Sequence, residues 1–200
     1  MYVNPVKLRS NVELRAAARE QLKGNWGKAI LISLLYALII FVLNSIPMIG
    51  PILLLLVAGA LMIGLSSFFI RMKRGQRAEV GELFNGFSQF ATALGVYLVT
   101  FIFVFLWSLL LIIPGIIAAL RYSMVYFIMI DNPNIGVMDA IRQSSAFMMG
   151  QKGKLFLLLL SFIGWAILSV ITFGIGFLWL MPYMTATLAH FYDDVKNAAV

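Results

Sequence analysis

Residues 113–131 read IPGIIAALRYSMVYFIMID. The stretch opens on Pro114-Gly115, runs apolar to Asp131, and is interrupted by a single charge, Arg121. One continuous helix over 92–130 would be a rod of about 58 Å at 1.5 Å per residue. That is about twice the ~30 Å hydrocarbon core of a bilayer. Proline and glycine end helices and permit tight turns. The segment therefore reads as two membrane spans, 92–113 and 116–130, joined at Pro114-Gly115.

The rest of the chain has the same character. Its 200 residues are 62% hydrophobic and 12% charged, with mean hydropathy +0.97. Soluble domains are roughly 45–50% apolar and about 25% charged. Further apolar runs cover 29–46, 52–70, 155–173 and 177–192. Short connections without charge join the runs in pairs: PMIGP at 47–51, PG at 114–115 and FGIG at 173–176. The expected fold is an all-α, polytopic membrane bundle of six transmembrane helices arranged as three hairpins. There is no cysteine, which excludes disulfides and thiol catalysis. The basic first 28 residues are too long for an ordinary signal-peptide n-region, and no cleavage is expected.

The charges alternate with the turns. The N-terminal segment carries Lys7, Arg9, Arg15, Arg19, Lys23 and Lys28, the loop 71–91 carries Arg71, Lys73, Arg74 and Arg77, and the loop 131–154 carries Arg142, Lys152 and Lys154. Asp193, Asp194 and Lys196 lie near the C-terminus. With six spans, all four charged segments fall on one face. The positive-inside rule makes it cytoplasmic, with both termini inside. Net charge +7 and a pI of about 9.9 then point to anionic phospholipid rather than nucleic acid. Arg15, Arg19, Lys28, Arg71, Lys73, Arg74, Arg77, Lys152 and Lys154 are the candidate lipid contacts.

The pairs also look like copies of one unit, covering about 8–70, 77–130 and 134–192 within a single membrane domain. A short amphipathic segment precedes each pair, and Gly24, Gly86 and Gly150 recur 62 and 64 residues apart. A period of this length suggests units that must associate with their neighbours. Ser10-x-x-Glu13 has the form of a capping box, and Leu14, Ala18 and Leu22 share one helix face. Apolar faces flanked by basic residues suit helices lying in the cytoplasmic headgroup region. They equally suit a lid packed on the ends of the spans. Ala60 with Gly64, and Ala91 with Gly95, have the spacing that lets helices approach closely.

The PG turn, Arg121-Tyr122, Asp131, AIRQSSAFMMGQKGKLF (140–156) and GIGFLWLMPYMTATLAHFYDD (174–194) resemble the bacterial membrane family named domain of unknown function 975. The resemblance runs over nearly the whole chain and implies a bacterial plasma-membrane protein, without implying an activity or catalytic residues. A more distant likeness is to the membrane domain of some glycerophosphodiester phosphodiesterases. The catalytic domain of those enzymes has no counterpart here.

Patterns that carry chemistry are scarce. The lone histidine, His190, with Asp193 and Asp194 falls short of the three or four ligands a metal site needs. No phosphate-binding loop, H-E-x-x-H or G-x-S-x-G occurs, and no cofactor is expected. No acidic residue lies inside an expected span, which argues against a proton relay. The expectation is a non-enzymatic protein that binds lipid, a hydrophobic small molecule or a membrane partner, including a second copy of itself. The alternative is a transporter or channel for an anionic or amphipathic solute. Arg121, with Tyr122 and Tyr126 nearby, is the candidate ligand site. It lies about 9 Å past the turn and has two readings: it snorkels to the outer surface, or it turns inward to an anionic group.

Overall fold

Ser10 starts the first helix in the manner its spacing to Glu13 indicates. The Glu13 N–H donates to Ser10 Oγ at 3.3 Å, and the Ser10 N–H donates to Glu13 Oε2 at 2.6 Å. Helix α1 (Asn11–Leu22) buries Leu14, Ala18 and Leu22 completely. Gly24 then ends the turn at φ +77°, a backbone state natural to glycine. The structure is a computed structural model that describes residues 8–199, which are helical and carry no strand. Lys7, counted among the N-terminal charges, lies outside the described residues.

The remaining helices are α2 (Trp26–Asn44), α3 (Gly50–Lys73), α4 (Phe90–Leu110), α5 (Ile112–Tyr122), α6 (Val125–Asp131), α7 (Val137–Phe147), α8 (Lys152–Leu160), α9 (Ile163–Ile171) and α10 (Phe177–Ala199). A 3₁₀ segment, Val80–Gln89, runs directly into α4. Five stretches are long and apolar enough to cross a membrane: Trp26–Asn44, Gly50–Lys73, Val80–Leu110, Ile112–Asp131 and Lys152–Ile171. The expected sixth span, 177–192, lies within α10 and does not meet that standard. Thr185, Thr187, His190, Asp193 and Asp194 make this helix too polar over the required length.

Contacts show where the chain doubles back. Tyr36 Oη donates to Met62 Sδ between α2 and α3. Phe103 meets Tyr122 at 5.9 Å between ring centroids, and Gly115 lies against Ser108, so α5 returns along α4. Phe162 meets Tyr183 at 5.2 Å, and Gly176 lies against Ser169, so α10 returns along α9. The α4–α5 reversal is not at Pro114-Gly115 as expected. It falls at Leu111, whose backbone is extended at φ −163° and ψ 151°. Pro114 and Gly115 instead form the first turn of α5. There a missing proline N–H costs nothing, and glycine leaves room for Ser108.

Helix α3 is the centre of the packing and is buried from Ala58 to Ile70 except at half-buried Met62. Its small residues let the 3₁₀ segment close in: a Cβ on Gly64 would strike the Leu83 backbone, and one on Gly86 would strike that of Ala60. The Ala60–Gly64 spacing is thus a contact surface. Ala91 is exposed, and Gly95 faces Val137 instead.

The span around Arg121 is not one straight helix. Between α5 and α6 the backbone is broken, and fully buried Ser144 of α7 satisfies the break. Its Oγ donates to the Arg121 carbonyl at 2.9 Å and accepts the Met124 N–H at 3.3 Å. Gly64→Val is expected to lower the stability of the detergent-purified protein by about 1–3 kcal/mol through overpacking. Gly164→Val, where a Cβ meets nothing within 4 Å, is expected to leave it within about 0.5 kcal/mol. Thermal unfolding of the two variants checks the difference.

Candidate functional site

Charged residues from distant parts of the chain meet at one end of the bundle. Asp131, with 8% of its side chain exposed, accepts from Arg74 at 2.6 and 3.1 Å, from Lys196 at 2.5 Å and from Tyr192 Oη at 2.8 Å. Arg74 also donates to Asp193 at 3.0 Å, and Lys73 pairs with the same carboxylate. The Asp131 hydrogen bond is the main influence raising the Arg74 guanidinium above its ordinary pKa. Arg9 grips Asp194 with its side chain at 2.5 and 3.0 Å and with its backbone N–H at 3.2 Å. Its Nη2 reaches the His190 carbonyl at 3.3 Å. The carboxylates beside His190 are therefore engaged with cations, and among the described residues no group of three acidic or histidine side chains is placed to hold a metal ion.

Arg71 pairs with Glu82 at 3.0 Å, Arg77 with Glu79 at 2.9 Å, Lys23 with Glu20 at 3.7 Å, and Arg142 with Asp139 at 3.5 Å. Four of the expected lipid contacts, Arg71, Lys73, Arg74 and Arg77, thus have carboxylate partners inside the protein. The described cations without an ion pair to a described carboxylate are Arg15, Arg19, Lys28, Arg121, Lys152 and Lys154. With Lys7 outside the described residues, these six make up the described part of the chain's excess positive charge.

Arg121 is exposed and stands between two hollows. Its Nε donates to Ser145 Oγ of α7 at 2.7 Å, and its Cζ lies 5.9 Å from the Tyr122 ring centroid. One hollow, of about 310 Å³, is lined by Trp107, Ile117, Tyr122 and Lys152 together with Arg121. The other, of about 380 Å³, adds Phe103, Met149, Arg142 and Ser145. Lys152 is two residues from Lys154, which lies in electrostatic range of Asp194 and Arg9. Arg121 is thus tied to α7 through Ser145, and the hollow beside it extends from Trp107 and Pro114 near the α4–α5 turn to Lys152. Tyr122 belongs to this cleft. Tyr126 does not: it sits in α6, within electrostatic range of Tyr97 and Tyr36 in the interior.

The sequence matches the family described as protein of unknown function (DUF975) over residues 1–115 and 108–199. The chain belongs to this family. No curated protein and no solved structure matches it. The likeness to the phosphodiesterase membrane domain has no support in these comparisons.

Sequence reasoning treated Asp131, Asp193 and Asp194 as markers of a face and missed that they tie the chain together. The available signal was that every acidic residue lies in a segment that also carries Arg or Lys. It also passed over Ser144 and Ser145, adjacent hydroxyls on an amphipathic helix. One completes the backbone at a helix break and the other orients Arg121. Asp131→Asn leaves Arg74 and Lys196 without a full partner in a half-buried site. It is expected to cost about 3 kcal/mol. The exposed Asp139→Asn is expected to cost under about 1 kcal/mol. Chemical or thermal unfolding in detergent separates the two.

Proposed function

We propose that this is a six-crossing bacterial plasma-membrane protein with both termini cytoplasmic, which binds an anionic phospholipid headgroup at the Arg121 cleft without catalysing a reaction. The six-crossing part is supported by the ion pairs. A salt bridge cannot reach across a bilayer, so Arg9, Lys73, Arg74, Asp131, Asp193 and Asp194 share one side. The chain leaves that side and returns to it between Arg9 and Lys73, between Arg74 and Asp131, and between Asp131 and Asp193. Each excursion contains one of the three reversals. This makes three hairpins, with α10 as the sixth crossing despite its polar end, which lies among the charges. Helix α1, the 3₁₀ segment and α7 then lie on the cytoplasmic side, and the basic excess there fits the positive-inside rule.

The headgroup reading rests on one observation: Arg121 carries no ion pair to a described carboxylate, yet it is held in place by Ser145 beside Lys152. A guanidinium anchored through Nε keeps its terminal N–H groups for an acceptor, and its fork geometry suits a phosphate. Trp107, Ile117 and Tyr122 supply apolar contact for the glycerol and upper acyl chain.

Two measurements check this reading. The chain has no cysteine, so single cysteines can be placed freely. Cysteines at Met48 and Ile175 are expected to react with an impermeant thiol reagent from outside, and those at Gln76 and Ala198 only from inside. Ala198 labelled on the side opposite Gln76 would overturn the six-crossing arrangement. For binding, the purified protein is expected to retain phosphatidylglycerol over phosphatidylethanolamine. Arg121→Gln with Lys152→Gln is expected to reduce that retention about tenfold, the loss of at least one charge-assisted hydrogen bond. Unchanged retention in the folded double variant would sink the headgroup assignment.

A further inference from the structure

Two more of the unpaired cations, Arg15 and Arg19, stand beside a different hollow. Trp26 at the start of α2, Trp165 in α9, and Trp179 and Tyr183 in α10 line a groove of about 330 Å³ together with Arg19. Three of the four tryptophans in the chain converge there from remote positions. Trp165 and Trp179 are 56% and 50% exposed, so their indoles are walls rather than core. No carboxylate lines the groove. Arg15 and Arg19 both lie within electrostatic range of Tyr183, and Arg15 Nε is buried without a hydrogen-bond partner.

The groove has the polarity of an amphiphile. Its cationic end belongs to the N-terminal segment that Arg9 ties to Asp194. Gln21, two residues beyond Arg19, donates to the Phe69 carbonyl at 2.9 Å, one helical turn from Lys73. Arg19 is thus close to the charged end of the bundle. The groove runs from there along α9 and α10 toward their shared turn, past Trp165, Leu168 and Trp179. A soluble anion would account for the arginines and leave the exposed indoles unused. A neutral apolar molecule would use the indoles and leave at its side two arginines without an ion pair to a described carboxylate.

We propose that this groove holds one anionic phospholipid, its phosphate on Arg19 beside Arg15 and one acyl chain between Trp165 and Trp179. The site is separate from the Arg121 cleft and uses none of its residues. Retention of an interfacial lipid here depends on a cation at headgroup depth and on aromatic walls below it.

Tryptophan fluorescence tests this directly. In a Trp107→Phe background, Trp26, Trp165 and Trp179 are the remaining indoles, and all three line the groove. Phospholipid brominated in one acyl chain is titrated into phosphatidylcholine nanodiscs containing the full chain. Brominated phosphatidylglycerol is expected to reach half-maximal quenching at a mole fraction about tenfold below brominated phosphatidylcholine, the worth of one charge-assisted contact. Arg19→Gln, a change at an exposed position, is expected to bring the two curves within about twofold of each other. Lys23→Gln, an equal loss of charge at an exposed position outside the groove, is expected to preserve the separation. Equal quenching by the two lipids, or a preference that survives Arg19→Gln, overturns the proposal. So does a preference lost equally in Lys23→Gln, because the cause would then be general surface charge.

Discussion

Asp131 is held by Arg74, Lys196 and Tyr192 at once, and Arg74 passes the connection on to Asp193. These bonds bring the end of α3, the end of α6 and the last turns of α10 to one point, and Arg9 adds the N-terminal segment. The arrangement matters because of the solvent. In a bilayer the hydrophobic effect does not drive apolar helices against one another, since lipid tails are as apolar as leucine. Packing of small residues and polar contacts must decide which helices are neighbours. Helix α3 uses both: Gly59, Ala60 and Gly64 for close approach along its length, and Lys73 and Arg74 for ion pairs at its end.

The net energy of such a knot is smaller than its geometry suggests. Taking a carboxylate and a guanidinium out of water costs several kcal/mol per ion, and the attraction between them offsets that cost only where hydrogen bonding is complete. Asp131 comes close to complete, with four donor contacts. Its main effect is on register. Each carboxylate sits at a fixed height on its helix and has a cation partner at one height on the next. A helix displaced by a turn would leave a half-buried charge without its partner. The ion pairs thus select one stacking among many apolar alternatives.

This explains which parts of the fold were legible in the sequence. The long apolar runs follow from bilayer thickness and hydration, which act on every residue alike. Leu14, Ala18 and Leu22 were readable because a helix repeats its face every three to four residues. The turn at Leu111 was not readable. Pro114 is compatible both with ending a helix and with starting one, and only the fit of Gly115 against Ser108 chooses between them. Arg121 could be recognised as exceptional, but its contacts with Ser144 and Ser145 of α7 could not be read, because those residues are distant in sequence. Tyr126 looked like its neighbour because it is one turn away. The helix break at Ser123 sends it elsewhere.

Pairing of charges also bears on function. A basic chain is commonly read as attracted to anionic lipid through its whole charge. Here Arg71, Lys73, Arg74 and Arg77, the densest basic run, are the residues with carboxylate partners. A paired cation has little field left to offer beyond the Debye length of about 8 Å in physiological salt. The unpaired cations are dispersed along the chain, yet Arg19 and Arg121 each stand in a hollow with at least one tryptophan. Random surplus charge would not be expected to coincide twice with aromatic clefts. These two cations without a described ion pair therefore stand beside apolar walls, whereas the run from Arg71 to Arg77 is occupied by carboxylates of the protein itself.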